Sequence, residues 1–242
     1  MNALVKLTLS LSLIIFGFSE STAQWNKKVV GNGNTTTNNR TTQSYDKIEA
    51  VGSMDVHLEQ GSEGKITVTT DSNIQEYVIV EVKDNTLVLR TKNNINLKTK
   101  KGIHITVPFE SISGVSLVGS GDIDTKDTIK SDSFDVSVTG SGDIVLAVES
   151  NTLDAKVTGS GDMDLSGKAT NLEVKVSGSG DFKGSSLNAE NTEVYVSGSG
   201  DAEVTATKSI KARVNGSGDI EYSGNPVKSD TKVMGSGDIS SN

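Results

Sequence analysis

Gly119-Ser120-Gly121-Asp122-Ile123 is the stretch on which the fold turns, because its first four residues return at Gly140, Gly159, Gly178, Gly198, Gly216 and Gly235. Successive copies start 21, 19, 19, 20, 18 and 19 residues apart. Self-similarity at such a period marks a stack of similar coils, each resting on its neighbours.

Residues flanking the repeat fall into columns. Four and two positions before each copy stand Val115 and Leu117, Val136 and Val138, Ala155 and Val157, Val174 and Val176, Val194 and Val196, Ala212 and Val214, Thr231 and Val233. Immediately after each Asp come Ile123, Ile144, Met163, Phe182, Ala202, Ile220 and Ile239. The intervening Ser137, Lys156, Lys175, Tyr195 and Arg213 are mostly polar, so the pattern has the period of two that a half-buried strand requires. An antiparallel meander would also alternate, but it needs turn signals at both ends of every strand. Here one corner is nearly constant, while the other, as in Ser166-Gly167-Lys168-Ala169-Thr170-Asn171, varies. Constancy at one corner predicts an all-β fold, a single-stranded parallel β-helix with coils of about 19 residues. The bias of parallel crossovers makes it right-handed.

Outward from the repeats, period-two alternation reaches back to Tyr45 through Ile48 and Ala50, Met54, Val56 and Leu58, Ile66 and Val68, Leu87 and Leu89, and Ile103, Ile105 and Val107. Val51-Gly52-Ser53-Met54-Asp55 reads as a degraded copy of the repeat. The β-helix domain is therefore expected over residues 45–242, with irregular N-terminal coils at 45–114 and regular repeats at 115–242. Residues 24–44, rich in Gly, Asn and Thr, have little to bury and read as a flexible linker. Lys6, the apolar run Leu7 to Phe18 and the small residues Ser21-Thr22-Ala23 give residues 1–23 the form of a cleaved signal peptide. The run is shorter than the roughly 20 residues a bilayer-spanning helix needs, so no transmembrane segment is expected after cleavage.

Composition narrows the function. A net charge of -8 argues against nucleic acid or an anionic membrane as an electrostatically attracted partner. The absence of cysteine excludes disulfides, thiol nucleophiles and thiolate metal sites.

In the repeat itself the glycines permit a sharp corner, and the Ser hydroxyl and Asp carboxylate can bond to backbone amides there. The competing reading is a calcium ladder. Stacked coils lie about 4.8 Å apart, which would align Asp122, Asp143, Asp162, Asp181, Asp201, Asp219 and Asp238 in one acidic column. Unit charges at that spacing repel by roughly 0.9 kcal/mol in water and about 3.5 kcal/mol at an effective dielectric of 20. Amide hydrogen bonds or calcium, which takes carboxylate and carbonyl oxygens, could offset this. The repeat nevertheless has about twice the nine-residue period of the known calcium-binding solenoid signature.

Other chemistry is thinner. His57 and His104 lie at outward parity on strands, and the serine column has no partnering histidine. No Gly-Lys-Ser/Thr follows the glycines, so they are not a phosphate loop. Lys98-Thr99-Lys100-Lys101 reads as a solvated hairpin tip.

Tyr45-Asp46-Lys47-Ile48 leading into Gly52-Ser53-Met54-Asp55-Val56-His57-Leu58-Glu59-Gln60-Gly61, followed by the repeats, resembles the auto-transporter adhesin, head GIN domain family of exported Bacteroidetes-type proteins. The resemblance spans about residues 45–242 and implies a β-helix in the periplasm or at the cell surface, without a catalytic residue. Sequence and resemblance together point to an exported, non-enzymatic adhesin-like binding module, with an unknown envelope protein or glycan as partner. A polysaccharide-active β-helix enzyme and a structural envelope scaffold are the alternatives. The unpaired edge of the last coil suggests either a homo-oligomer joined through solenoid ends or a fold-back of the N-terminal strands over that edge.

Overall fold

Each Gly-Ser-Gly-Asp lies directly on the one before it. A computed structural model describes residues 27–242, so the signal peptide falls outside the described residues. The first ten strands are β1 (Lys27–Val30), β2 (Thr35–Thr41), β3 (Lys47–Gly52), β4 (Asp55–Gln60), β5 (Lys65–Asp71), β6 (Val78–Lys83), β7 (Thr86–Thr91), β8 (Ile95–Lys98), β9 (Ile103–Phe109) and β10 (Gly114–Gly119). Five long strands then each cover most of a coil: β11 (Ile123–Gly140), β12 (Ile144–Gly159), β13 (Met163–Gly178), β14 (Phe182–Gly198) and β15 (Ala202–Gly216). β16 (Ile220–Ser223), β17 (Lys228–Gly235) and β18 (Ile239–Ser241) complete the stack.

From β10 to the C-terminal end every pairing is parallel and in the predicted register, as in Val136↔Ala155↔Val174↔Val194↔Ala212↔Thr231. The chain is a parallel β-solenoid. Its core is the inner column set, with Phe134, Leu153, Leu172 and Ile210 on one row and Ile123, Ile144, Met163, Phe182, Ala202 and Ile220 on another, all buried. Each fully buried aliphatic or aromatic side chain contributes roughly 1.5–3 kcal/mol. A thin core of stacked like residues therefore suffices at 33% hydrophobic composition.

The corner explains its own sequence. The first glycine of every copy has φ between 115° and 146°, a region that side chains with a Cβ avoid. The second glycine has another reason. A Cβ on Gly142 would collide with the Gly121 carbonyl oxygen, and one on Gly161 with that of Gly142. The degraded copy separates the two requirements. Gly52 keeps its glycine because its φ is 125°. Met54 replaces the second glycine and is fully buried in the core, because no like corner lies beneath it: the chain there detours through residues 92–102 and β8.

Rung order departs from chain order at the N-terminal end. β3 lies between β7 and β10, and β4 between β9 and β11, so the coil formed by β7 and β9 is outermost although it follows β3 and β4 in the chain. Antiparallel strands flank this outer coil, with β6 on β7, and β5 on β9 and β2. The fold-back of N-terminal strands thus covers the N-terminal end of the stack, while β17 and β18 each pair on one side only among the described residues.

The expected flexible linker is corrected over residues 27–41, which form β1, parallel to β8, and β2, antiparallel to β5. Polar contacts order this stretch in place of apolar burial. Thr37 and Thr69 share a hydroxyl hydrogen bond of 2.9 Å, and an Arg40 guanidinium N–H donates to the Gln75 carbonyl at 3.0 Å. The fully buried Asp71 accepts the Gly33 and Lys100 amides and ties both loops together.

Candidate functional site

Alignment of coils brings all seven repeat aspartates into one column, as the sequence requires. Their geometry is that of a backbone clasp. Asp122 Oδ1 accepts the Asp143 N–H at 3.1 Å, and the same bond links Asp143 to Asp162, Asp162 to Asp181, Asp181 to Asp201, Asp201 to Asp219 and Asp219 to Asp238, at 2.7–3.0 Å. The Asp carbonyls point toward the preceding coil, where the Asp162 oxygen accepts from Ile144 N–H at 3.0 Å. Each of the six carboxylates from Asp122 to Asp219 thereby satisfies an amide that the corner of the next coil would otherwise leave without a partner. Asp162 also holds Lys183 at 3.0 Å. Burial works its pKa upward, but the Asp181 amide and the Lys183 ammonium outweigh that and hold the carboxyl below the usual carboxylate range. Among the described residues no group of three or more His, Asp or Glu side chains is arranged to hold a metal ion.

His57 and His104 face outward, as expected, and the rung order brings them together. Their rings stack with centroids 6.1 Å apart and planes 9° apart. His57 Nδ1 lies 2.7 Å from Asp124 Oδ2, and His104 Nδ1 lies 3.3 Å from Asp55 Oδ2. This pairing was not legible from sequence, since it depends on β9 and β4 being neighbours.

Another carboxylate row, Asp135, Asp154 and Glu173, lies in register on the face that precedes the corners. Burial, followed by the charges of Glu173 and Asp135, pushes the Asp154 carboxyl upward. Lys47 pairs with Asp135 and Lys175 with Glu173, and Glu193 continues the row on the next coil.

A long concavity lies at the variable corner. A groove of about 760 Å³ runs across successive coils there, and Lys130, Glu149, Lys168 and Asn188 form one wall. Asp132, Asn151, Thr170 and Glu190 form the other, and the small residues Ser131, Ser150, Ala169 and Ala189 lie between. The walls are braced from coil to coil. An Asn151 amide N–H donates to Asp132, Lys130 pairs with Glu149 at 3.3 Å, and Lys208 with Glu190 at 2.6 Å. Lys168 projects exposed into the groove. Small floor residues give the groove depth, and walls of hydroxyl, amide, ammonium and carboxylate groups repeat with the coil spacing. Such a surface suits an extended polar chain running along the solenoid. Sequence reading marked this corner only as variable. Alignment of Lys130 with Glu149 and Lys168 carries the signal, but coil lengths of 18 to 21 residues hide it until the register is known.

Comparison with known proteins agrees with this architecture. The family model described as putative auto-transporter adhesin, head GIN domain matches residues 44–226. A solved "putative adhesin" from Bacteroides fragilis is 26% identical with a TM-score of 0.85, covering 88% of this chain and all of its own. A "putative lipid binding protein" from Parabacteroides distasonis is 27% identical with a TM-score of 0.76, covering 89% of this chain and all of its own. A "putative adhesin" from Parabacteroides merdae, 22% identical with a TM-score of 0.72, covers 89% of this chain and 99% of its own and shares the fold. No curated protein matches the chain.

Proposed function

The chain belongs to the putative auto-transporter adhesin, head GIN domain family, and on that premise we propose that it is an exported, non-enzymatic binding module at the cell surface or in the periplasm. Its ligand is an extended glycan-type polymer of the envelope or its surroundings, held along the groove at the variable corner.

The observation that carries this reading is the groove itself, with a polar wall on each side of a small-residue floor across successive coils. A linear polysaccharide presents hydroxyls at a regular spacing, and the wall groups repeat every coil, about 4.8 Å. Ammonium and amide donors beside carboxylate acceptors can bond to both roles of a sugar hydroxyl. Polar walls favour such a chain over a lipid, the ligand class in the description of the Parabacteroides distasonis relative.

Titration against a panel of bacterial and plant polysaccharides tests this. Saturable binding without depolymerisation, weakened by Lys168→Ala and Asn151→Ala, is expected. Depolymerisation would favour a polysaccharide-active enzyme, and failure of every polymer to bind would favour an envelope scaffold.

A further inference from the structure

The two ends of the stack differ, and the difference specifies a partner. At the N-terminal end β6, β5 and β2 reverse strand direction. A further parallel coil therefore has no template there. At the C-terminal end the template is intact: the Gly216 carbonyl accepts from the Ser236 N–H at 2.8 Å, but the matching Gly235 carbonyl serves no coil among the described residues. Alternation along β17 points the N–H and C=O of Ser229, Thr231 and Val233 the same way as those of Gly235. Every residue of β17 is exposed. Val227, Val233 and Met234, three of the large exposed hydrophobics, cluster at this end.

We propose that this edge is a two-fold interface in which β17 pairs antiparallel with β17 of a second copy, centred on Thr231. The sequence Lys228-Ser229-Asp230-Thr231-Lys232-Val233-Met234 is self-complementary in that register. Asp230, whose carboxylate Arg213 of its own copy also holds, faces Lys232 of the other copy and Lys232 faces its Asp230, so two opposite-charge cross-strand pairs flank the axis. Thr231 meets Thr231, and Ser229 meets Val233. Val227 lies over Gly235, and Met234 lies against the aliphatic stem of Lys228. The outward backbone groups of Ser229, Thr231 and Val233 then form the hydrogen-bonded pairs of an antiparallel ladder. The same contact brings the exposed apolar side chains of both copies under cover. An isologous contact closes at two copies.

Sedimentation velocity and light scattering of the purified protein over a concentration series test the interface. Wild type is expected to approach twice the monomer mass as concentration rises. Lys232→Glu is expected to raise the dimer dissociation constant about tenfold, because on each side of the axis it sets a carboxylate against Asp230 of the other copy. Within its own copy the new carboxylate lies beside Arg213 of the adjacent coil, the registered neighbour of Lys232 and the partner of Asp230, so the thermal melt is expected to stay close to wild type. Thr231→Pro, which removes the central N–H donor, is expected to yield monomer. A monomer at every concentration would overturn the interface. So would growth past the dimer, which would mean a head-to-tail contact with β6 or β2, or a dimer indifferent to both substitutions.

Discussion

Replacing Gly161 with Ala probes the stacking of the corners with little else disturbed. The backbone of Gly161 lies outside the left-handed region, so alanine is conformationally admissible there. The added methyl nevertheless lands on the Gly142 carbonyl oxygen, with the Gly142 nitrogen also too close. Neither atom is at the end of a flexible side chain, so the two coils must separate locally. Overpacking of this kind costs about 1–3 kcal/mol. Separation also strains the 2.8 Å and 3.1 Å bonds that the Gly140 carbonyl accepts from Ser160 and Gly161, each worth roughly 1 kcal/mol. Reduced freedom of the unfolded chain returns about 0.4–1 kcal/mol. The balance is a loss of about 2–3 kcal/mol, which for a chain of this size lowers the melting temperature by roughly 4–12 °C. Thermal unfolding followed by circular dichroism measures it, with Ser160→Ala as control, expected within about 0.5 kcal/mol of wild type. A Gly161→Ala melt equal to wild type, or a Ser160→Ala loss as large, would refute the stacking argument.

The aspartate clasp makes a second prediction. Asp181→Ala leaves the Asp201 N–H, now bonded at 2.9 Å, without its acceptor and is expected to cost about 1–2 kcal/mol. Asp181→Asn keeps an oxygen at the same place and is expected to recover most of that in urea denaturation. If these carboxylates serve amides, millimolar calcium leaves the melt unchanged; a calcium-raised melt would return the column to cation binding. Acid is expected to loosen the N-terminal cap. The amides of Lys100, then of Gly33 and Lys101, hold the Asp71 carboxyl below the usual range against the pull of burial. A folded pKa below the unfolded one contributes stability that is full above the ordinary carboxylate value of about 3.9 and is lost as pH falls through the lowered value. Limited proteolysis by pepsin should therefore reach residues 27–41 first as pH drops, and Asp71→Asn should expose Lys27, Lys28 and Arg40 to trypsin at neutral pH. Unchanged cleavage in the variant would remove Asp71 from that role.

How much of this was readable from the residues depended on how often each feature repeats. The regular coils were legible because seven copies fix the register, and the columns from Val136 to Thr231 follow from counting back from each glycine. The position of β3 between β7 and β10 was not, because a single degraded copy at Gly52 shows what it stacks against but not which coil lies on its other side. β1 and β2 carry no hydrophobic period, since nearly every residue in them is exposed. Their order comes from threonine hydroxyls, Arg40 and the buried Asp71, polar groups whose partners lie some 30 to 40 residues away. The threonines of the stretch, Thr35-Thr36-Thr37 and Thr41, were the available hint, since β-branched residues favour strands. For the site, the aspartate column was found at once, yet its task required the amide geometry. The groove became visible only when Lys130, Glu149 and Lys168 were brought into line.

Lysine labelling with and without a bound polysaccharide, quantified by mass spectrometry, tests the central claim that corners hold the stack and the groove binds. Protection is expected at Lys130 and Lys168 on the groove wall, with Lys47, Lys183 and Lys228 labelled as in the free protein. Protection of Lys183, beside the Asp162 corner, with Lys130 and Lys168 unchanged would contradict it.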